Sequence, residues 1–228
     1  MEPAHDNLSL IVAIDGPAGA GKSSVSREVA KRLGIAFLDS GAMYRAATWW
    51  AMDQGVDLND AEALARSTEN LPLDLRFEND SLLVIVNGRD VTDEIRTPEV
   101  TRNIKYLDGL QGVRTPLVRM QRAIAGRRPT VAEGRDMGTV VFPNARCKIY
   151  LDASIEERTQ RRAGQLSEQG MEADLEALRS EIEHRDQNDM TRDVAPLRKA
   201  EDAYLLDTSS LSFEEVVQEI LQRAKAIK

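Results

Sequence analysis

Only one cysteine, Cys147, stands among 228 residues, so the chain can close no disulfide of its own. That usage points to a reducing, cytoplasmic setting. Two histidines, His5 and His184, cannot alone build a zinc site. Long apolar runs are missing. The longest are strand-sized pieces such as Leu8–Ile14, far short of the ~18 residues a membrane span needs. The N-terminus has His5 and Asp6 and no basic cluster before Leu8, so it does not read as a signal peptide. A basic excess is missing too: the net charge of −8 disfavours a general nucleic-acid binder. What is present, 42% apolar and 30% charged residues, suits a soluble folded protein of one or two domains.

The charge is unevenly spread. From Arg114 to Arg162 there are ten arginines and one lysine against five acids, although the whole chain is acidic. Arginine supplies 23 of the 30 basic residues. Its planar fork matches phosphate oxygens in pairs. A solvated face explains the same counts, so composition alone leaves the point open.

Ser9–Asp15 is a compact apolar run that predicts a buried parallel strand. Lys22–Leu33 predicts a helix stopped by Gly34, Ala36–Asp39 a second strand, and Ala42–Gln54 a second helix. This alternation implies an α/β fold. The pattern then changes. Leu71, Leu73, Leu75 and Phe77 alternate, Asn79-Asp80 marks a turn, Leu82–Val86 follows, and Asn87-Gly88 leads to a short tail through Val91. Together they predict an antiparallel meander inserted in the α/β series. Thr97-Pro98 opens a helix. Pro129–Ala132 and Lys148–Leu151 are further buried strands, and Tyr204–Leu206 is the last. Ser154 with Glu157, and Ser212 with Glu215, form capping boxes. Met171, Leu175, Leu178 and Ile182 recur at helical spacing. Phe213, Val216, Val217, Ile220, Leu221 and Ala224 make the apolar face of a terminal helix. Trp49 and Trp50 are expected in the core or at a domain contact, His184 on a helix surface, and Cys147 inert in a strand.

Gly16-Pro17-Ala18-Gly19-Ala20-Gly21-Lys22-Ser23 matches G-x-x-x-x-G-K-[ST] in full, between a strand and a helix. The glycines let backbone N–H groups turn inward around an anion, and the helix N-terminus adds its positive end. Lys22 can reach the β- and γ-phosphates, and Ser23 can ligate Mg²⁺. The motif implies nucleoside triphosphate binding without saying where the phosphoryl group goes.

A kinase for a small anionic acceptor needs a second, cationic pocket. Ser40 and Gly41 begin the second helix, and Arg45 lies one turn in, although a plain surface helix residue fits equally well. Arg135-Asp136, bracketed by Gly134 and Gly138, follows a strand where α/β sheets bind ligands. Arg158, Arg161 and Arg162 can share one helix face and close on a phosphate chain. Arg185, Asp186, Asp189 and Arg192 cluster before Pro196. A loop salt bridge and solvated charge runs remain open alternatives at these positions.

The segments IDGPAGAGKS, LDSGAMYRA, DEIRTPEV, EGRDMGTVVFPNA, KIYLDAS and HRDQNDMTRDVAPL together resemble bacterial cytidylate kinases, from Ile11 to about Ala224. The resemblance implies a P-loop three-layer α/β/α fold with a parallel sheet core, a small antiparallel insert and a short helical lid. It apportions residues 1–66 to the core, with the phosphate loop and half of the monophosphate site. Residues 67–128 become the insert, 129–153 core, 154–170 lid and 171–228 core. It implies ATP held by Gly16 through Ser24. CMP-contacting positions are Ser40, Arg45, Arg114, Arg135, Asp136, Arg185, Asp189 and Arg192. Asp136 and Arg114 would read the base or hold the phosphate, Arg185 and Asp189 would sit near the sugar, and Arg192 would bridge phosphates. Lys22, Arg158, Arg162 and Arg192 would serve catalysis, with Mg²⁺ on Ser23. The expected reaction is transfer of the γ-phosphoryl group of ATP to CMP or dCMP by a monomer. Alternatives are a kinase for another nucleoside monophosphate or metabolite, and a nucleotide-binding switch. The chain departs from the family pattern at Glu133, where aspartate is expected, and at Lys105, where a small hydroxyl residue is expected.

Overall fold

A computed structural model of the chain describes residues 10–78, 81–168, 170 and 172–226. In chain order the elements are β1 (Ile11–Asp15), α1 (Lys22–Leu33), β2 (Ala36–Asp39), α2 (Ser40–Asp53), α3 (Ala61–Glu69), β3 (Leu73–Glu78), β4 (Ser81–Val86) and β5 (Arg89–Asp90). Then come α4 (Pro98–Asn103), α5 (Gln111–Ala125), β6 (Thr130–Gly134), β7 (Cys147–Asp152), α6 (Ile155–Glu168), α7 (Leu175–Thr191), β8 (Tyr204–Asp207) and α8 (Phe213–Lys225). The chain divides into two compact units, one of Leu10–Gly34 with the residues from Val131 onward, the other of Ile35–Thr130.

The first unit is a parallel sheet with flanking helices, its strands in the order β6-β1-β7-β8. Val12 pairs with Cys147 and Asp15 with Tyr150, while Ile149 pairs with Tyr204 and Asp152 with Asp207. β1 is buried along its whole length, as its unbroken apolar run requires. α1 is flanked by Gly21 before its first residue and Gly34 after its last, both with positive φ, and lies against α8. α8 has a complete Ser212–Glu215 capping box, worth about 1 kcal/mol. Val216, Val217, Ile220, Leu221 and Ala224 are buried as expected. Phe213 is not, because the first helical position turns it outward. At α6 only half of the expected box forms. The Glu157 N–H donates to Ser154 Oγ at 3.2 Å, while the Glu157 carboxylate accepts from Arg161 Nε. Along α7, Leu175 is exposed and only Ile182 of the predicted stripe is fully buried; Met171 lies outside the described residues. The inward face of α7 is ionic instead, since Asp186 and Asp189 are buried against arginines. Cys147 is buried, and burial raises its thiol to about 11.

In the second unit α2 contacts α3, α4, α5 and β4, over a core that includes Leu38, Met43, Leu64, Leu107 and Leu117. Asp39 ends β2 and caps α2, accepting from the Ala42 N–H at 2.7 Å. The helix therefore begins at Ser40, as expected for Ser40 and Gly41, although the apolar run itself starts only at Ala42. The antiparallel sheet β3-β4-β5 is the predicted meander. Asn87 and Gly88 both take positive φ, as a two-residue hairpin with a type I′ turn demands. The Asn79-Asp80 turn lies outside the described residues. Thr97 caps α4 with Pro98 next. Trp49 and Trp50 are only half-buried, and the Arg89 guanidinium lies 5.4 Å from the Trp49 ring centroid. An arginine beside the ring, rather than closed core, covers Trp49, while Ala46, Ala47, Thr48 and Ala51 of the same helix are buried. Among the described residues no helix is long and apolar enough to cross a membrane.

Candidate active site

The phosphate loop occupies the turn between β1 and α1. A side chain at Gly16 would put its Cβ 2.0 Å from Leu151 O, so β7 admits only glycine beside it. Gly19 and Gly21 hold φ of 77° and 86°, which turns the loop and sets the start of α1. Lys22 is 6% exposed, and its ammonium donates to Pro17 O at 2.7 Å. Burial, helped by Arg135 and Arg185, pulls its pKa down to about 7 against the opposing charges of Glu133 and Asp189. Ser23 and Ser24 are exposed on the first turn of α1.

Asp15, the last residue of β1, is buried and accepts from the Met137 and Gly138 N–H groups at 2.7 Å each. It ties the end of β1 to the π-helical turn Met137–Val141 that follows Arg135 and Asp136. Burial raises its carboxyl to about 6, with Asp136 adding to the rise and the two N–H bonds and Lys22 opposing it. Asp136 is itself buried. Arg135 Nε donates to Asp189 Oδ2 at 2.6 Å. Burial opposes both charges, but each stabilises the other: Arg135 is held above and Asp189 below its ordinary value. Arg192 donates twice to Ala195 O, at 2.8 and 2.6 Å, and Ala195 takes a φ of 51° to present that oxygen. Arg185 is exposed on α7.

The arginines of α6 diverge. Arg158 is buried and donates to Ala153 O, to Ala18 O and to Asp186. Arg161 reaches Thr208 at 3.0 Å and Ala20 O at 3.5 Å. Arg162 is exposed and donates to Gln165. Spacing placed all three on one face. The structure turns Arg158 and Arg161 to the phosphate loop and Arg162 away from it. The sequence placed Arg161 on the helix face that closes on a phosphate chain and Asp186 in a charged cluster, but it offered no partner for either of them or for Asp15. Their partners lie 141, 168 and 122 positions away, which no local motif reveals.

In the other unit, Ser40 is buried at the start of α2, and Arg45 Nη2 lies 3.3 Å from Asp39 Oδ2. Arg96 approaches the same carboxylate at 3.9 Å, a cation that sequence reasoning missed. Gly41 makes room for this pair, since a Cβ there would stand 3.2 Å from Arg45 Nη1. Arg114 is buried over the Tyr44 ring and donates to Asp108 O. Lys105 is exposed, 5.1 Å from the Tyr106 ring centroid.

For Mg²⁺, no three acidic, histidine or cysteine side chains cluster as a metal cage among the described residues. The hard oxygens present, exposed Ser23 and buried Glu133, suit an ion that arrives with phosphate ligands and needs few protein ones.

The sequence model of the cytidylate kinase family matches residues 12–226. A cytidylate kinase of Geobacillus sp. (strain WCH70) is 49% identical over 211 residues, which cover 92% of this chain and 94% of the relative. That of Shouchella clausii (strain KSM-K16) is 44% identical over 214 residues, covering 94% and 95%. Among solved structures, an uncharacterized protein from Eubacterium ventriosum superposes with a TM-score of 0.52 at 11% identity, covering 96% of this chain and 99% of that one, a likeness of fold alone. With a full phosphate loop and matches of this length, the chain belongs to the cytidylate kinase family.

Proposed function

We propose that this cytidylate kinase moves the γ-phosphoryl group of ATP to CMP or dCMP by aligning the two phosphates and neutralising their charge. The observation that carries the reading is the complete phosphate loop, with its buried lysine, in a chain matched to the family over residues 12–226. A phosphate oxygen of the monophosphate forms the new P–O bond, and the bond to the β–γ bridging oxygen of ATP breaks, leaving ADP and CDP or dCDP. Such loose transfer needs little covalent help from the protein.

Gly16 through Ser24 cradle the triphosphate, and Lys22 sits against its β- and γ-oxygens. Ser23 would hold Mg²⁺ beside the phosphates, where the ion would supply charge neutralisation. Arg45 and Arg114 hold the acceptor phosphate, with Ser40 beside them, and Arg192 bridges phosphates. Asp136 accepts from the C4 amino group of cytosine and rejects uracil, which offers an acceptor there. Arg185 and the Arg135–Asp189 pair border the sugar. Arg162 moves in from the lid to shield the transferring group, while Arg158 stays buried beneath the phosphate loop. A monomer suffices for this scheme.

The test is ADP release from ATP and Mg²⁺ with CMP, dCMP, UMP, AMP, GMP and dTMP, beside a control without acceptor. Strong turnover with CMP and dCMP and little otherwise is expected. Preference for another acceptor would move the base assignment. ATP binding with no acceptor-dependent ADP would favour a nucleotide switch.

A further inference from the structure

The phosphate loop is gripped from outside by a buried ion pair. Its handle is the Ala18 residue, in the middle of the loop. The Ala18 N–H donates to Asp186 Oδ1 at 3.1 Å, and the Ala18 carbonyl accepts from Arg158 Nη1 at 3.0 Å. The other carboxylate oxygen, Asp186 Oδ2, accepts from the same Arg158 nitrogen. Arg158 Nε is occupied by Ala153 O at 3.0 Å, so the guanidinium is anchored at the end of β7 as well. Arg158 and Asp186 are 8% and 7% exposed.

A second contact fixes the same spot. A Cβ built on Gly19 would stand 3.2 Å from Arg158 Cβ and 3.4 Å from Arg158 O, so the first turn of α6 lies directly against the loop. The base and the acid of the grip come from different helices, Arg158 from α6 and Asp186 from α7. A loop of three glycines loses more freedom on becoming rigid than other sequences do. A loop already held at Ala18 loses less of it when nucleotide binds.

We infer that Arg158 and Asp186 are positioning residues that brace the phosphate loop through Ala18, acting on nucleotide affinity rather than on the transferring phosphoryl group. This rests on the phosphate loop being the ATP site. Asp186 makes the inference sharp, because charge and geometry predict opposite signs there. If Asp186 acted only as a negative charge near the loop, neutralising it would tighten binding of an anionic nucleotide. If it braces the loop, Asp186→Asn weakens binding. An amide oxygen can still accept from Ala18, but the amide N–H₂ meets Arg158 donor to donor.

The experiment is calorimetric titration of ATP and ADP, with Mg²⁺, into the full-length protein, together with steady-state kinetics. The proteins are the unaltered chain, Asp186→Asn, Arg158→Met, Arg158→Lys and the double variant Asp186→Asn with Arg158→Met. The unaltered chain reports on the ATP site itself, and failure to bind there would remove that reading rather than the brace. Given binding, the brace predicts that each of Asp186→Asn and Arg158→Met weakens ATP and ADP alike, by about tenfold. The KM for ATP rises more than kcat falls, and the KM for CMP moves least. The double variant costs little more than the worse single one, since both act on one residue of the loop. Arg158→Lys recovers only part of the loss, because an ammonium lacks the fork that serves Ala153, Ala18 and Asp186 together. Tighter nucleotide binding by Asp186→Asn overturns the inference. So does a loss confined to kcat, which would place Arg158 on the transferring group. Should Arg158→Met fail to fold, the sign of the Asp186→Asn effect decides alone.

Discussion

Replacing Lys22 by methionine should stabilise the protein while abolishing phosphoryl transfer. Lys22 is buried, and two arginines, Arg135 and Arg185, act on it, so its pKa falls to about 7. In the unfolded chain the group titrates near 10.5. The folded-state value is the lower one, so the cost of the charge is fullest in acid and fades as pH rises towards 10.5. Linkage converts the difference into about 5 kcal/mol below pH 6, about 4 at pH 7 and about 2 at pH 9. Methionine keeps most of the stem packing but loses the bond to Pro17 O, which offsets about 1.5–3 kcal/mol. The net gain at pH 7 is about 1–2.5 kcal/mol, or roughly 2–10 °C in Tm for a chain of this size. By about pH 9.5 the gain should be gone. Paired thermal melts of both proteins from pH 6.5 to 9.5 measure this, with turnover followed alongside. A variant less stable at every pH, or an offset that ignores pH, would refute the account of a strained, desolvated ammonium.

Other expectations follow from single contacts. Gly16→Ala drives a Cβ to 2.0 Å from Leu151 O at a φ of 151°, so β7 must shift; a loss of at least about 3 kcal/mol is expected, and a Tm within 1 °C or so of the unaltered protein would contradict it. Asp15, with a carboxyl raised from 3.8 to about 6, holds its proton more tightly when folded, so its contribution to stability declines as pH rises from about 4 to 6. Urea unfolding of Asp15→Asn should lack that decline, gaining up to about 3 kcal/mol on the unaltered protein between pH 4 and 7; parallel pH profiles would count against the burial argument. Gln121 is fully buried, and neither polar atom of its amide has a hydrogen-bond partner among the described residues. Gln121→Met should therefore be neutral or stabilise by about 1–2 kcal/mol in the same assay, and a loss above about 2 kcal/mol would reveal a partner for the amide.

Local chemistry was readable from the sequence, and distant pairing was not. The phosphate loop, the Asn87-Gly88 turn and the Ser212 cap each depend on a few neighbouring residues, and each formed as its residue types require. Arg45 was balanced between site and surface until Asp39 and Arg96 appeared around it. Along α7 the apolar spacing was a poor guide, because arginines from other elements bury Asp186 and Asp189 on the inward face. Within α6, three arginines at helical spacing looked equivalent. Their partners, at Ala18, Thr208 and Gln165, give them three different surroundings. Pro116 lies inside α5 without ending it, although that residue removes a helical donor.

The bond from Arg192 to Ala195 bears on when entropy is lost. A free arginine side chain carries about 2 kcal/mol of rotamer freedom. Here both Nε and Nη2 are tethered to one carbonyl, and the backbone adopts an unfavourable left-handed turn to offer it. Much of that freedom is therefore surrendered when the chain folds, before the phosphate that we propose Arg192 to bridge would arrive. Loosening the tether would leave the charge in place and still slow the docking of an anion, because the guanidinium would have to be caught and stilled at each encounter.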